Sequence, residues 1–436
     1  MSIETTIGIL GIVILFTLLA FKMYIGVVMG ILGFLGFAYL VGPSAALSIL
    51  GSSPYDTAAS YSFSVVPLFI LMGQIAQYTG MSEDIYDVVY KWMGHFRGGL
   101  AMATVLGCAG FAAISGASFA AVAVLGAVAL PEMRKYKYDL GLATGCITSG
   151  GTLGILIPPS IAFVIYGMLV EESIGKLLMA GIIPGILLTL FYVIAIYIVC
   201  AIKPEMGPAT QIKFSMAERI KSLRGIWSFL ILFVLVVGGI YSGIFTPTEA
   251  AGMGAFGTMV IGFVRRRLTI SNLIKAIQET MVTTAMVFLI LVGANIFSVF
   301  LGVSELPMNL ADYIGGLEVP RFVILAGILA LYIVLGCVLV GLAMIILTIP
   351  VIYPVVSALG YDPIWFGVVM VIVLEIGLIT PPVGLNVFVM KGVAKDIPLE
   401  TIFRGVVPFI IASVAAIILI IIFPEIALYL PNQMSK

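Results

Sequence analysis

GGTLGILIPPS at residues 150–160 and EIGLITPPVGLN at residues 375–386 decide the fold. Each sets a Pro-Pro step inside an otherwise apolar helix. Two consecutive prolines remove two backbone donors and clash with the preceding turn, so the helix must break there. Broken backbone at membrane depth is tolerated only where protein buries it or where it lines a polar cavity. Two such breaks at corresponding places in two halves of one chain point to the substrate and ion site of a secondary transporter.

The rest of the composition agrees with a membrane location. Of the 436 residues, 62% are hydrophobic and 10% charged, with a mean hydropathy of +1.23. A soluble domain would carry about a quarter charged residues. Uncharged stretches such as 5–21, 226–244 and 405–424 approach the ~20 residues that a helix needs to cross the hydrocarbon, so the lipid bilayer is the first expected partner. A net charge of zero gives no basic surface for nucleic acid. Cys108, Cys146, Cys200 and Cys337 are scattered without metal-ligand spacing and read as structural thiols. The stretch 5–21 follows Glu4 with no Lys or Arg before it, so it reads as a retained first span.

The two halves share a register. Pro131 and Pro354, Tyr138-Asp139 and Tyr361-Asp362, Gly154 and Gly377, and the two Pro-Pro steps are all 223 positions apart (139 to 362, 158 to 381). This points to an internal repeat. Spans are expected near 5–21, 24–42, 62–79, 139–170, 177–201, 226–244, 247–264, 281–303, 362–390 and 400–424. Two further apolar segments, 99–131 and 320–354, read as re-entrant hairpins. With the N-terminus outside, 18 of the 21 Lys and Arg fall in cytoplasmic loops, leaving Lys176, Arg321 and Lys436 elsewhere. Each half then holds five spans, an odd number, so the halves are inverted and both termini are periplasmic.

The expected organisation is therefore a first inverted repeat over 1–225 and a second over 226–436. In the first, scaffold spans occupy 1–98, a hairpin and broken helix 99–202, and a cytoplasmic connector 203–225. In the second, scaffold spans occupy 226–318, a hairpin and broken helix 319–392, and a final span 393–436. Residues 80–96 and 203–224 mix charge with apolar residues and read as membrane-surface helices.

The hairpin at 99–131 has basic residues at both ends, Arg97 on one side and Arg134, Lys135 and Lys137 on the other. Both ends are thus cytoplasmic, and 33 residues are too few for two full spans. Its tip, AISGAS at 113–118, offers Ser115, Gly116 and Ser118. The second tip falls near GCVLVG at 336–341, with Gly336 and Gly341 bending the chain. Small residues can also serve only close helix packing. A serine-bearing tip facing a Pro-Pro break favours a functional role.

Helix ends supply the chemistry. Unwound carbonyls and C-terminal half-helix ends suit a desolvated Na⁺, and free amides at helix N-termini suit an anion. One Na⁺ site is expected around Ser115, Gly116, Ser118, Gly150, Gly151 and Thr152. A second is expected around Gly336, Gly341, Thr380 and Asn386. Substrate contacts are expected from Pro158, Pro159, Ser160, Pro381, Pro382, Gly384 and Asn386, with Glu375 beside them. Glu375 is the one acid inside an apolar span next to a break. Intramembrane acids are expensive and usually functional, although a structural carboxylate held by backbone groups is an equal reading. Glu249, in TPTEAAG, reads as the acid of a helix N-terminus. His95 carries no assigned role, and Lys391 reads as a snorkelling cytoplasmic anchor.

The stretches AISGASFAAVA (113–123), GGTLGILIPPS, TPTEAA (246–251) and EIGLITPPVGLN together resemble the large membrane subunit of the tripartite ATP-independent periplasmic (TRAP) transporters, within the wider ion-transporter superfamily. The resemblance covers essentially the whole chain. It implies an all-α integral membrane fold of the elevator type, in which hairpins and broken helices slide against a scaffold. It also implies Na⁺ coupling with no organic cofactor, a small four-span membrane partner, and a soluble periplasmic binding protein delivering an organic acid such as a C4-dicarboxylate or sialic acid. The bacterial inner membrane is the implied location. The chain opens on the large subunit's first span, so the small subunit is expected as a separate polypeptide.

Other function classes fit less well. An intramembrane enzyme would need metal-spaced histidines or a nucleophile with its base, and there is one His. No Gly-rich phosphate loop of the P-loop type is present for an ATP-driven pump. A stand-alone ion-coupled carboxylate carrier and an ion channel remain as alternatives, the channel needing a filter-like ring.

Overall fold

The computed structural model describes residues 2–209, 214–337 and 339–434, and these are helical with no strand. Expectations that fall on Lys213, Val338 and Lys436 lie outside the described residues. The chain opens with α1 (Ile3–Ala20), α2 (Ile25–Leu40), α3 (Pro43–Ala59), α4 (Val65–Tyr78) and the amphipathic α5 (Met81–Met93). The first hairpin follows as α6 (Gly99–Ser115) and α7 (Ser118–Lys135), then the broken pair α8 (Leu140–Leu156) and α9 (Ile161–Leu169), then α10 (Ile174–Ala180) and α11 (Ile182–Ile202). A surface helix α12 (Met216–Leu223) leads to α13 (Trp227–Phe233), which passes through a π turn into α14 (Gly239–Tyr241). The second half continues with α15 (Pro247–Val264), α16 (Ile270–Val303) and α17 (Leu306–Gly315). Its hairpin is α18 (Arg321–Gly336) and α19 (Gly341–Ala358), its broken pair α20 (Pro363–Ile379) and α21 (Leu385–Val393), and it ends with α22 (Leu399–Ile422) and α23 (Glu425–Gln433).

Five stretches are long and apolar enough to cross a bilayer: α1, α10 with α11, α16, α19 and α22. Three further pairs qualify as bent spans: 43–59 with 61–78, bent by 53°; α8 with α9, by 42°; and 216–223 with 227–241, by 44°. Several features differ from the spans read in the sequence. Helix α19, an arm of the expected second re-entrant hairpin, is among the crossing helices, whereas the spans expected at 24–42, 247–264 and 362–390 are not: α2 and α20 are shorter apolar helices, and α15 opens on Pro, Thr and Glu. Helix α3 precedes the span expected at 62–79, because Pro43 at its first turn starts a helix despite its polar Ser, Gly and Asp content. Helix α16 runs 34 residues, well beyond 281–303. Its extra first turns carry Lys275 and Glu279, and Tyr78 Oη donates to Glu279 Oε1 at 2.8 Å. Helix α23 adds a short segment after the last span.

The 223-residue register reappears in helix boundaries. It relates α7 to α19 (118 to 341, 135 to 358) and α8 to α20 (140 to 363, 156 to 379). The Tyr-Asp pairs explain why. Asp139 caps α8 by accepting from the Leu142 amide at 2.9 Å, and Asp362 caps α20 by accepting from the amides of Ile364 and Trp365 at 2.8 and 2.9 Å. Each tyrosine then meets the start of its own hairpin: Tyr138 Oη accepts from the Leu100 amide, and the Arg321 guanidinium lies over the Tyr361 ring.

Helices α8 and α20 are apolar or small on every side apart from Glu375, and a helix without a polar face belongs in a core. Residues 141–156 and 364–379 are buried throughout. Small residues set the closest approaches. The Gly405 backbone of α22 rests on that of Gly141 in α8, and Gly293 of α16 on Gly26 of α2, with no room for a Cβ. The four cysteines are buried free thiols.

Candidate functional site

Both core helices end for the same reason. The residue before a proline is pushed to extended backbone, and Ile157 (ψ 126°) and Thr380 (ψ 139°) adopt it. The Pro158-Pro159 and Pro381-Pro382 bonds are both cis. The chain then restarts as a helix: Ser160 caps α9, its hydroxyl accepting from the Phe163 amide and donating to the Ile155 carbonyl. Gly384, left-handed at φ 61°, starts α21 with no side-chain cap.

A hairpin tip sits against each broken helix, on the break itself in the first half and on α20 ahead of it in the second. In the first half, α6 ends at Ser115, Gly116 turns the chain at φ 59°, and Ala117 is extended. A Cβ on Gly116 would stand 2.6 Å from the Pro159 carbonyl, and one on Gly154 would stand 2.9 Å from Ala117 and 3.0 Å from the Ser118 amide. Gly151 approaches the Ser118 carbonyl in the same way, at 3.1 Å. In the second half a Cβ on Gly377 would stand 2.6 Å from Cα of Gly336. Gly154 and Gly377 are equivalent in the 223 register, so the glycine marks where a tip lies against a broken helix.

The two halves also meet. Asn386, fully buried at the start of α21, donates from Nδ2 to Ser118 Oγ at 2.8 Å. Its Oδ1 is buried without a partner, and so is Ser115 Oγ. Around the first tip the structure thus gathers Ser115, Gly116, Ser118, Gly151, Pro159 and, from the other half, Asn386. The last connection has no sequence signature, because it needs the fold to bring positions 268 apart together.

Other expected residues sit elsewhere. Gly150 faces Cys108 on α6, not the tip. Thr152 and Glu375 each precede the tip-facing glycine by two residues, which turns them about 200° away. Thr152 Oγ1 donates to the Ser149 carbonyl at 2.6 Å and lies 3.2 Å from Tyr192 Oη. Glu375 is buried with neither oxygen hydrogen-bonded. Thr380 Oγ1 bonds back to the Ile376 carbonyl at 2.6 Å, and Gly341 packs on Leu374. Pro158, Pro159 and Ser160 are buried, whereas Pro381 and Pro382 are exposed. Lys391 Nζ donates to the carbonyls of Lys395 and Ile397 at 2.7 and 2.8 Å, closing the loop after α21. Thr246 and Glu249 form a reciprocal N-terminal cap on α15, and His95 lies 3.5 Å from an Arg219 nitrogen.

Outside the membrane helices, Arg134 grips Asp396 with two bonds of 2.8 Å, tying α7 to the loop between α21 and α22. That guanidinium holds the Asp396 carboxyl below its ordinary range. Asp84 of α5 is held by Arg265 at 2.6 Å and Arg267 at 3.0 Å, which fastens α5 to the turn between α15 and α16.

Comparison with known proteins follows this geometry. Residues 12–426 match the family described as "Tripartite ATP-independent periplasmic transporter, DctM component". The chain is 37% identical over 408 residues to the C4-dicarboxylate TRAP transporter large permease protein of Pseudomonas aeruginosa, covering 91% of this chain and 94% of the relative. It is 34% identical over 423 residues to the sialic acid TRAP transporter large permease protein of Vibrio cholerae, covering 94% and 98%. In fold it is similar to the solved YdaH transporter of Alcanivorax borkumensis, with a TM-score of 0.63 at 16% identity over 90% of this chain and 89% of that one. A hairpin tip on a broken helix in each half, and a family match over nearly all of the chain, lead to one conclusion: this multi-pass membrane protein belongs to the DctM family of TRAP transporter large permeases.

Proposed function

We propose that the chain is the permease of a Na⁺-coupled, binding-protein-dependent importer of an organic acid. The substrate is a C4-dicarboxylate, a sialic acid or a related carboxylate, the classes named for its relatives. It works with a small four-span membrane subunit and a soluble periplasmic binding protein, in the bacterial inner membrane with both termini periplasmic. The hairpins and broken helices form two inverted repeats that move together against the scaffold, as in an elevator.

The observation that carries this reading is the buried Asn386–Ser118 hydrogen bond with unpartnered acceptor oxygens on Ser115 and Asn386 beside it. A buried acceptor without a donor is costly. A desolvated Na⁺ coordinated by these oxygens and the unwound carbonyls of Gly116 and Pro159 removes that cost. A second Na⁺ is placed at the other tip, by the carbonyls around Gly336 and Thr380. The carboxylate is held at the start of α21, where no side chain caps the amides and the adjoining prolines are exposed. At α9, Ser160 already occupies part of the equivalent position.

The test is uptake into vesicles containing the chain and the small subunit, with loaded binding protein outside. An inward Na⁺ gradient should drive accumulation, and a proton gradient alone should not. Full uptake without Na⁺ would overturn the coupling.

A further inference from the structure

A groove with two chemically different parts runs along α11 and α22, away from both tips. Its polar part, a cavity of about 250 Å³, lies between the start of α8, the end of α11 and the start of α22, and is lined by Asp139, Thr401 and Arg404 among small and apolar residues. Its apolar part, of about 350 Å³, is lined by Phe191, Ile194, Ile198 and Ile411 with three alanines. Val199 and Pro408 line both, so the two parts are continuous. Ile194, Ile198 and Ile411 are exposed, which opens the apolar part to the outside of the protein.

Backbone contacts fix the walls of the polar part. A Cβ on Gly141 would stand 3.0 Å from Asp139 Oδ1 and 3.4 Å from the Thr401 carbonyl, so the carboxylate and the start of α22 flank one point. The Gly405 backbone rests on Gly141 and on Gly145, one turn further along α8. The Asp139 amide donates to the Met206 carbonyl at 3.0 Å, which brings the segment after α11 to the same place. Both α11 and α22 belong to stretches long and apolar enough to cross a bilayer, and charge begins at Lys203 on one and at Glu400 and Arg404 on the other. The polar part therefore lies at the membrane surface and the apolar part at hydrocarbon depth.

The charges of the polar part select the occupant. Asp139 Oδ1 accepts from the Leu142 amide, and among the described residues the carboxylate makes no ion pair. Arg404 donates to Glu400 Oε1 at 2.6 Å, one turn away on the same helix, and both side chains stand mostly in the open. A guanidinium has five N–H groups, and this bond uses one. The mouth of the groove thus presents an unpaired carboxylate on one side and free N–H donors on the other. A purely anionic head would meet Asp139 with nothing to offer it, and a purely cationic one would leave Arg404 unused. A head carrying both signs, joined to an apolar chain, matches the whole groove.

We propose that this groove binds one aminophospholipid of the phosphatidylethanolamine type, with its ammonium on Asp139, its phosphate on Arg404 and one acyl chain between α11 and α22. A primary ammonium brings three N–H donors to the carboxylate, and the guanidinium fork matches phosphate oxygens. A trimethylated head has no N–H to donate, and a glycerol head has no cation. The bound lipid joins the ends of α8, α11 and α22, and it does so whatever acid or ion the chain carries.

The test uses the full chain, purified in detergent and stripped of lipid. Phosphatidylethanolamine, phosphatidylcholine and phosphatidylglycerol with identical acyl chains are added in turn, and native mass spectrometry counts the lipid bound. One phosphatidylethanolamine should bind at least tenfold more tightly than either of the others. Asp139→Asn keeps a good helix cap but removes the charge, and should erase the preference over phosphatidylcholine. Arg404→Ala should weaken phosphatidylethanolamine about tenfold. Ala415→Trp, at an exposed position lining the apolar part, should block the chain and abolish the preferred lipid. Equal affinity for the three lipids, or wild-type binding in all three variants, would overturn the proposal. Should Asp139→Asn fail to fold, the other two variants decide, and wild-type binding in both overturns it. In membranes, a photo-crosslinking amino acid in place of Ile198 identifies the occupant: a phospholipid adduct supports the proposal, and an adduct to the small membrane subunit or to a second copy of the chain overturns it.

Discussion

Replacing Gly377 by Ala probes the contact between the second tip and its broken helix. The added Cβ would stand 2.6 Å from Gly336 Cα, 2.7 Å from Gly336 C and 3.2 Å from the Cys337 nitrogen. All three are backbone atoms, so no side chain can rotate away. Reaching an ordinary contact of 3.4 Å requires the tip to lift by about 0.8 Å. Overpacking of that kind costs about 1–3 kcal/mol. Glycine to alanine inside a helix returns about 0.5–1 kcal/mol. The packing term is larger, and a net loss of about 1–2 kcal/mol changes the ratio of seated to lifted tips by about 5- to 30-fold. Cys337 reports it, because it is 5% exposed beside the contact. In a background lacking Cys108, Cys146 and Cys200, alkylation of Cys337 by a small permeant maleimide should accelerate by that factor. Gly327→Ala, on the same hairpin with open space around the site, carries the same propensity gain without the clash and should leave the rate unchanged. Equal alkylation rates in Gly377→Ala and Gly327→Ala would refute the argument.

Further outcomes follow from the same geometry. Gly73 of the scaffold helix α4 stands against the first tip, where a Cβ would lie 2.6 Å from the Ser115 carbonyl. Gly73→Val should therefore reduce uptake at least tenfold while membrane insertion, followed by expression in the membrane fraction, is unchanged. A cysteine replacing Lys221, with the native cysteines removed, should resist an impermeant thiol reagent in intact cells, since this loop is cytoplasmic in the proposed topology; ready labelling would reverse the orientation. The hydrogen bonds from Arg134 hold the Asp396 carboxyl below the ordinary aspartate value. The contribution of this exposed pair is therefore full above that value and is lost as pH falls through the lowered one. Hydrogen exchange in the 394–398 loop should be flat between about pH 5 and 8, after correction for the intrinsic exchange rate, and accelerate in Asp396→Asn.

The breaks, the tips and the register were legible because they are local. A Pro-Pro step ends a helix wherever it stands, and Asp139 and Asp362 cap helices from positions fixed by chain order. The family resemblance rested on those same motifs. Facing was harder. Thr152 and Glu375 lie two residues before the tip-contacting Gly154 and Gly377, yet helical rotation turns them away from the tips, and Thr152 meets Tyr192 instead. Gly150 turns to Cys108 for the same reason. Ser160 was expected to face substrate, but its hydroxyl is engaged in capping α9. The Asn386–Ser118 bond joins residues assigned to separate sites, and nothing in composition or spacing could pair them. Helix α3 escaped notice because its Ser, Gly, Pro and Asp content hides it from hydropathy.

The central claim is that the oxygens of the first tip and of Asn386 couple Na⁺ to transport. The most direct measurement is the Na⁺ concentration giving half-maximal uptake in Asn386→Ala compared with Lys391→Ala. Removing Asn386 deletes a candidate ligand and unties Ser118, so half-saturation should rise tenfold or more. Lys391 bonds only loop carbonyls, and its replacement should shift the value by less than threefold. An unchanged Na⁺ dependence in Asn386→Ala, or a large shift in Lys391→Ala alone, would contradict the assignment of the site.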